Sequence, residues 1–244
     1  MPRVVIALPV FNGGPLLREA LDDLAAQTHP DMQVIIFDNH SADETNALAQ
    51  EFAERDRRFT LIRRDATVPL FDHFRMTLDE VDCELFGWRA YDDLSSPNYV
   101  STLSELLLDN PRASVAGAEI RTHAVHKDRW RVHPAPSVGD GGLFATWHLM
   151  MHSHASWMYG LFRRQALRKC YTHALETLPS TWGADHATLL PMILNRAVVT
   201  TSNAHFIQRK GIDKRKPVEN VVPLAQKWRT YSAFLDFCRQ AVDQ

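Results

Sequence analysis

The first 120 residues alternate between apolar runs and segments with the spacing of an amphipathic helix, and this alternation restricts the fold more than any other feature. The runs 4–10 (VVIALPV) and 33–38 (QVIIFD) are apolar almost throughout, which is typical of strands buried on both faces of a sheet. Between them, residues 14–27 repeat leucine at helical spacing. Strands joined by helices in this way predict an α/β fold with a mostly parallel central sheet flanked by helices.

Further elements follow the same alternation. Strands are predicted at 59–63, 83–88 and 113–119, and helices at 41–55, 70–81 and 98–109. The helix at 41–55 opens with Ser41 and Glu44, which have the spacing of a capping box.

After residue 120 the pattern is less regular. A long excursion rich in histidine, proline and glycine is predicted at 121–156. Beyond it we predict helices at 159–169 and 184–195, a strand at 197–202, a basic loop at 209–216 and an amphipathic helix at 224–242.

Composition limits the classes of partner. The formal net charge is −2, so the chain as a whole gives no electrostatic reason to bind nucleic acid. Its three cysteines form neither a disulfide framework nor a metal motif, which favours a reducing, cytoplasmic location. The longest apolar runs fall short of the ~20 residues that a membrane span needs.

Two adjacent carboxylates, Asp92 and Asp93, follow the strand predicted at 83–88. Like charges repel, so the pair is costly unless a cation or several donors lie beside it. Mg²⁺ and Mn²⁺ bind through one or two carboxylates together with phosphate oxygens, which such a pair can satisfy. The alternative is a solvated turn in which an aspartate caps the following helix.

Ligands of parallel sheets bind at the carboxyl ends of the strands. This rule brings together three segments that are far apart in sequence, namely Pro9–Asn12, Asp38–Asn39 and Asp92–Asp93. Neither a Rossmann glycine motif nor a P-loop is present, so these two nucleotide sites are not supported.

Three stretches resemble glycosyltransferase family 2 in order and spacing: VVIALPVFNGGPLLREALDDLAAQT, VIIFDNHSADET and FGWRAYDDLSSPNYV. The resemblance is close over residues 3–105 and continues more loosely through YGLFRRQAL and GADHATLLPMIL to about residue 210. It implies a single-domain nucleotide-diphospho-sugar transferase fold of the GT-A type. The implied activity is inverting, metal-assisted transfer of a sugar, with UDP as the expected carrier, to a glycan or lipid-linked acceptor in polysaccharide or glycoconjugate synthesis.

The resemblance also implies roles for individual residues on the donor side. Residues 1–120 would bind the nucleotide sugar. Asp93 would bind Mg²⁺ or Mn²⁺, with Asp92 beside the ribose, the diphosphate and the metal. The remaining nucleotide contacts would come from Pro9, Val10, Asn12 and Asp38.

Residues 121–216 would form the acceptor half of the same domain. Asp185 matches the general base of inverting members, and its alternative role is a helix N-cap. Arg163 and Arg164 match a basic pair that follows the acceptor region. The aromatic residues Trp147, Trp157 and Tyr159 suit sugar stacking near His148, His152 and His154, where a zinc site is disfavoured because no cysteine or H-E-x-x-H motif accompanies them.

The basic run that begins with Arg209 and Lys210 suits either the diphosphate or anionic lipid headgroups, and a solvated loop is its alternative. For the C-terminal segment 217–244 three fates stay open: packing on the core, formation of a homodimer, or peripheral contact with the inner face of a membrane.

Two departures from the family pattern favour a rival function, a non-catalytic sugar-nucleotide or glycan-binding relative. Ala90 stands where many members have a further aspartate, and Gly211 stands about where many carry a histidine. The intact Asp92, Asp93 and Asp185 oppose that rival.

Overall fold

The computed structural model describes residues 3–136, 143–178 and 183–211, together with the single residues 229, 232 and 236. Within this part of the chain the strands are β1 Val4–Val10, β2 Met32–Asp38, β3 Phe59–Arg63, β4 Leu85–Trp88, β5 Leu94–Ser95, β6 Val115–Ala124, β7 Arg129–His133, β8 Leu161–Arg163 and β9 Val198–Lys210. The α-helices are α1 Gly14–Ala25, α2 Thr45–Arg55, α3 Leu70–Asp79, α4 Tyr99–Asp109, α5 Leu143–His152, α6 Arg164–Thr177 and α7 Ala184–Leu194. Two short 3₁₀-helices span Val125–Lys127 and Ala155–Tyr159.

The described strands form one sheet in the order β3-β2-β1-β4-β8-β6-β9-β5, with β7 added on β6. Strands β1 to β4 are parallel neighbours, and β6 and β9 form a second parallel pair. Strands β5, β7 and β8 pair antiparallel. The predicted α/β architecture with a mostly parallel sheet is therefore confirmed.

The first strand and the first helix show why the early pattern is decisive. Every residue of β1 is buried, because the strand runs between β2 and β4. Helix α1 packs Leu17, Leu21 and Leu24 into the same core. Each fully buried leucine side chain contributes about 1.5–3 kcal/mol, so this face of the helix is fixed on the sheet.

The excursion predicted at 121–156 is wrong in its first part. Strand β6 continues to Ala124, and the chain then turns back into β7 to form a hairpin. The turn contains Asp128 with φ of 41°, a left-handed conformation that aspartate tolerates better than most residues. A hydrophobicity pattern does not predict this hairpin, because β7 is rich in charge and mostly exposed.

The helix predicted at 159–169 starts later than expected. Residues 161–163 instead form β8, which fits between β4 and β6, and α6 begins at Arg164. A three-residue strand carries too little periodicity to be recognised, and only its partners define it.

The capping box predicted from Ser41 and Glu44 is also wrong. Helix α2 begins at Thr45, and the Ser41 hydroxyl accepts a hydrogen bond from the amide of Asn12 at 2.9 Å. The serine therefore joins the β1 and β2 loops instead of closing the helix.

The last strand is longer than the predicted 197–202, since β9 runs from Val198 to Lys210. Arg209 and Lys210 thus lie in a strand and not in a loop. The rest of the predicted basic loop and the predicted helix at 224–242 lie outside the described residues. The proposed boundary at residue 120 falls inside β6, so the two halves share a strand.

None of the helices in the described ranges combines the length and hydropathy of a membrane span.

Candidate active site

Asp92 and Asp93 lie in the turn between β4 and β5, and each is only 5% exposed. We call this segment the aspartate turn. Arg209 joins it from β9: its amide donates to Oδ1 of Asp93 at 2.8 Å, and its Nε donates to the carbonyl of Asp92 at 2.6 Å. The two carboxylates thus have a cation beside them, which offsets the cost of placing like charges together.

The guanidinium of Arg209 is itself held from the far side. It forms an ion pair with Glu19 of α1 and is largely buried. Its Nη2 has no hydrogen-bond partner within the described residues. A buried charged donor that lacks a partner is costly, so this nitrogen is available to an anionic ligand at the turn.

Arg89 supports the aspartate turn from below and was missed by the sequence reasoning. It is 2% exposed, donates to Ser95 Oγ at 2.7 Å and lies 3.5 Å from the carboxylate of Asp23. Its guanidinium also lies 5.3 Å from the ring centre of Phe206. The sequence does contain one sign of this role, since Arg89 directly follows a buried strand, where its charge requires a partner.

The loop after β1 meets the end of β2, as the carboxyl-end rule predicted. Val10 pairs with Asp38 in the sheet register. Asn12 has φ of 50°, and its side-chain oxygen accepts a hydrogen bond from the amide of Ala42 at 2.9 Å. Pro9 and Val10 are buried, so a ligand would meet chiefly the backbone of this segment and the side chain of Asn12.

Asp38 is completely buried. Its Oδ1 accepts from the amide of Ser41 at 2.9 Å, and its Oδ2 lies 3.5 Å from Nε of Arg63. The carboxylate therefore organises the loop between β2 and α2, and a contact with base or ribose stays a prediction.

Asp185 lies in the first turn of α7, but Gly183 is the N-cap residue of that helix, with φ of 79°. The alternative role of Asp185 as N-cap is therefore excluded. The residue is exposed to solvent by area, yet the protein around it raises the pKa of its carboxyl through desolvation, with His186 acting in the opposite direction.

Tyr159 connects this carboxylate with the aspartate turn. Its pKa is raised by burial first, and then by the charges of Asp93, Asp185 and Asp92. The charges of three carboxylates, two that follow β4 and one in α7, therefore all act on one phenol. The ring of Tyr159 stacks on Phe206 with centroids 5.3 Å apart, which fixes its position.

Two of the three aromatic residues expected to stack on a sugar have other surroundings. Trp157 is 2% exposed and donates its indole N–H to the carbonyl of Ala118, so its ring is part of the core. Trp147 is half-exposed on α5. Only Tyr159 lies among the carboxylates.

Arg163 and Arg164 lie near the start of β4, at the end of that strand opposite the aspartate turn, so the structure does not bring them to the proposed diphosphate site. Arg163 pairs with Leu85, the first residue of β4, and its guanidinium donates to the carbonyl of Ala113 at 2.9 Å. Arg164 donates to the carbonyl of Leu78 at 3.2 Å. The reason is the antiparallel direction of β8, which carries its carboxyl end away from the aspartate turn.

Lys210 differs from Arg209 although the two are adjacent in β9. Side chains that neighbour each other on a strand point to opposite faces. Arg209 contacts the aspartate turn, whereas the charge of Lys210 acts on His133 and His154. The two cations therefore serve different parts of the site.

The described residues contain no group of three or more His, Cys, Asp or Glu side chains arranged to hold a metal ion. On α5 the rings of His148 and His152 lie 4.1 Å apart without further ligands in this part of the chain. The aspartate turn offers two carboxylates, which suits an ion whose other ligands are phosphate oxygens and water. The donor set therefore fits Mg²⁺ or Mn²⁺ shared with a diphosphate.

Comparison with known proteins agrees with this geometry. Residues 5–173 match the family model of glycosyl transferase family 2. An uncharacterized glycosyltransferase of Rickettsia typhi is 27% identical over 157 residues, which cover 62% of this chain and 48% of the relative. The chain thus spans about half the length of that relative.

Solved structures share the fold. TarS of S. aureus (residues 1–349, in complex with UDP-GlcNAc) aligns with a TM-score of 0.70 at 13% identity, over 95% of this chain and 65% of that one. The mannosyltransferase PcManGT of Pyrobaculum calidifontis, in complex with GDP-Man and Mn²⁺, aligns with a TM-score of 0.63 at 17% identity, over 100% of this chain and 65% of that one.

Proposed function

Because the chain belongs to glycosyl transferase family 2, we propose that it moves a sugar from a nucleoside diphosphate to an acceptor hydroxyl, with metal assistance and inversion at the anomeric carbon. Its fold is of the GT-A type. The observation that carries the proposal is the buried pair Asp92 and Asp93 after β4, bonded to Arg209 of β9, together with a third carboxylate, Asp185, in the first turn of α7. Such a transfer needs a cation near the leaving diphosphate, which a carboxylate pair can hold, and a base near the incoming hydroxyl.

The donor is proposed to bind along the carboxyl edge of β1, β2 and β4. The base and ribose would contact the loop after β1, where Asn12 and the backbone of Pro9 and Val10 are available, with Asp38 and Asp92 behind them. UDP is the proposed carrier, and two proteins of the same fold support a nucleotide-sugar donor, since one was solved with UDP-GlcNAc and the other with GDP-Man.

Asp93, with Asp92 beside it, would hold Mg²⁺ or Mn²⁺. When bound, the ion neutralises charge that develops on the leaving diphosphate. Arg209 contributes a second, permanent cation at the same place, because its side chain is fixed against the turn and Nη2 has no partner in the described chain. Both act on the leaving group, where negative charge grows in the transition state.

Asp185 would take the proton of the acceptor hydroxyl. Desolvation raises the pKa of this carboxyl, which makes it a stronger base than an ordinary aspartate. It comes from α7, whereas the aspartate turn follows β4, so separate elements supply the base and the leaving-group site. One displacement with one base inverts the anomeric configuration.

The acceptor is proposed to be a glycan or lipid-linked sugar in polysaccharide or glycoconjugate synthesis, modified on the cytoplasmic side of a membrane. The rival function, binding without turnover, is favoured by Ala90 and by the hydrogen bond that already engages Oδ1 of Asp93.

One experiment separates the two functions. A panel of UDP-, GDP- and dTDP-sugars is screened for thermal stabilisation with and without Mn²⁺, since a ligand of the folded state raises its stability. The stabilising donor is then incubated with the protein, and release of the nucleoside diphosphate is followed. Metal-dependent release supports the transferase, whereas stabilisation without any release supports the binding protein.

A further inference from the structure

Four basic side chains meet beside the acceptor side of the site. We call the group formed by Arg131 and His133 of β7, His154 of the 3₁₀-helix and Lys210 of β9 the basic cleft. The rings of His133 and His154 have centroids 4.7 Å apart. The charges of Arg131, His133 and Lys210 all act on His154, so the four groups lie within electrostatic range of one another.

The sheet register explains how this cluster arises. Strand β6 lies between β7 and β9, and residues that pair across strands share a face. Thr122 pairs with Arg131 on one side and with Gln208 on the other, and Ala124 is likewise opposite Lys210. In the basic cleft, Arg131, His133 and Lys210 therefore lie on one face of three adjacent strands, and the ring of His154 lies beside that of His133.

Two polar atoms in that floor have no partner within the described residues. They are the hydroxyl oxygen of Thr122, a residue only 9% exposed, and the side-chain oxygen of Gln208. A buried hydroxyl without a partner costs roughly 1–3 kcal/mol. The Thr122 hydroxyl can donate a hydrogen bond and lies in the same cross-strand row as Arg131, so an anion in the cleft would satisfy it. The Gln208 side-chain oxygen is an acceptor and would need a donor instead, such as a hydroxyl of the same ligand.

The cations of the cleft also lack acidic partners. In the described part of the chain neither Arg131 nor Lys210 forms an ion pair, whereas Arg121, on the opposite face of β6, binds Glu119 at 2.8 Å. Burial first, and then the neighbouring charges of the cleft, lower the pKa of His154 to about 4. Arg121, which has an acidic partner, therefore lies on one face of the sheet. Arg131 and Lys210, which have no acidic partner among the described residues, lie on the other face.

The basic cleft adjoins the proposed base rather than the proposed donor site. The 3₁₀-helix that follows His154 packs against α7, the helix that carries Asp185. The charge of His186, which follows Asp185, also acts on His154 and on the carboxyl of Asp185. The aspartate turn is served by Arg209, which points to the other face of β9. A ligand in the cleft would therefore belong to the acceptor and not to the nucleotide.

From this geometry we propose that the basic cleft binds an anionic substituent of the acceptor, a phosphate or a carboxylate, and so selects an acidic glycan over a neutral one. The inference rests on the proposed function only in identifying the anionic ligand as part of the acceptor. That the cleft binds an anion can be tested without any turnover.

The binding test uses inorganic phosphate and acetate as probes at constant ionic strength. The protein is first saturated with UDP and Mg²⁺, a diamagnetic ion, so that the donor site is filled, and phosphate binding is followed by ³¹P line broadening. We expect binding to the wild type, and a roughly tenfold weaker binding for each of Arg131→Gln and Lys210→Gln, the loss that one charge-assisted contact typically gives. Arg121→Gln, the paired cation on the other face, is the matched control and should bind as the wild type does.

The two probes distinguish the source of the anion. Phosphate alone indicates a phosphorylated acceptor, and binding of both probes indicates a site that also takes a uronic acid. Equal binding by wild type, Arg131→Gln and Lys210→Gln overturns the proposal, as does a loss of UDP affinity in Arg131→Gln, which would assign the cleft to the donor.

Acceptor selection is then measured with matched glycosides that are neutral, phosphorylated or oxidised to the uronic acid. For the acidic glycosides, Arg131→Gln should raise KM by about tenfold with kcat little changed, because the contact is present before and during the reaction. A wild type that prefers the neutral glycoside overturns the proposal. If no donor sugar is transferred at all, the proposed function fails, while the phosphate titration still decides whether the cleft binds anions.

Discussion

The amide nitrogen of Arg209 lies 2.8 Å from Oδ1 of Asp93, so the end of β9 is bonded directly to the aspartate turn after β4. One carboxylate oxygen is thereby engaged by the backbone of β9. Asp93 thus has a structural role, accepting the hydrogen bond from β9, that an uncharged side chain with the same oxygen could also fill.

The first prediction uses that separation. Asp93→Asn keeps the oxygen that accepts from Arg209 but removes the negative charge, so the fold should hold while Mn²⁺-assisted UDP binding is largely lost. Calorimetric titration of UDP with and without Mn²⁺ measures the effect. Asp72→Asn, a change in an exposed ion pair on α3, is the control. If Asp93→Asn binds UDP with unchanged Mn²⁺-assisted affinity, Asp93 does not bind the metal.

The second prediction concerns Asp38, whose buried carboxylate accepts from the amide of Ser41. Asp38→Ala leaves that amide and the neighbouring Arg63 without their partner, so we expect the free energy of unfolding to fall by about 1–3 kcal/mol. Asp38→Asn retains an acceptor and should lose less. Urea denaturation measures both variants, and UDP titration then shows whether the stable variant still binds nucleotide.

If Asp38→Ala unfolds at the same urea concentration as the wild type but binds UDP more weakly, the carboxylate acts mainly on the nucleotide. The sequence pattern alone favoured that second outcome, because it assigned the cap of the following helix to Ser41.

The third prediction isolates the base. Asp185→Asn keeps the shape of the side chain but cannot take a proton, so donor binding should persist while transfer falls by roughly 10²–10⁴-fold. Product analysis by NMR should show an inverted anomer for the wild type. A retained anomer, or near-normal transfer by Asp185→Asn, would exclude Asp185 as the base of a single displacement.

The fourth prediction follows from the direction of the Asp185 pKa. In the folded protein this pKa is above its usual value, so the folded state binds the proton more tightly than the unfolded state, and its stability falls as pH rises through that interval. Asp185→Asn has no such proton and should be as stable as the wild type, or more stable, at neutral pH. Thermal unfolding from pH 3 to pH 8 tests this, and a loss of stability in the variant at neutral pH would contradict it.

The fifth prediction concerns His154, where the sign is opposite. Burial and neighbouring cations hold its pKa at about 4, below the usual value near 6.5, so the folded state loses stability as pH falls from about 6.5 through 4. His154→Asn can still accept the hydrogen bond from the amide of Ser156. Its unfolding midpoint should therefore depend less on pH over this interval. Parallel pH profiles for the two proteins would show that His154 is not desolvated.

How far the sequence predicts the structure depends on the length of each element. Strand β1 and helix α1 are recognisable because each repeats its pattern over several residues, as Val4–Val10 does. Strands β5 and β8 have two and three residues and exist only through their partners, so no local pattern could reveal them. The misplacement of Arg163 follows from this, because its position depends on the direction of β8.

The candidate site was predictable to a similar degree. Asp92, Asp93 and Asp185 are conspicuous as carboxylates beside a strand end or a helix start, and the structure brings them to one phenol. The opposite orientations of Arg209 and Lys210 were not predictable, since that required knowing that β9 extends through both residues. The basic cleft depends on the β6–β7 hairpin, which a charged, exposed strand concealed.

The bond between Arg209 and Asp93 spans 116 positions of the chain, and this separation has a consequence for synthesis. A ribosome delivers the aspartate turn long before it delivers the strand that completes it, and closing so long a loop is among the slower steps of folding. The turn therefore spends this interval without the arginine that neutralises it. We expect a nascent chain to bind a diphosphate only after β9 has docked on the sheet. Affinity for the ligand should therefore appear late in folding.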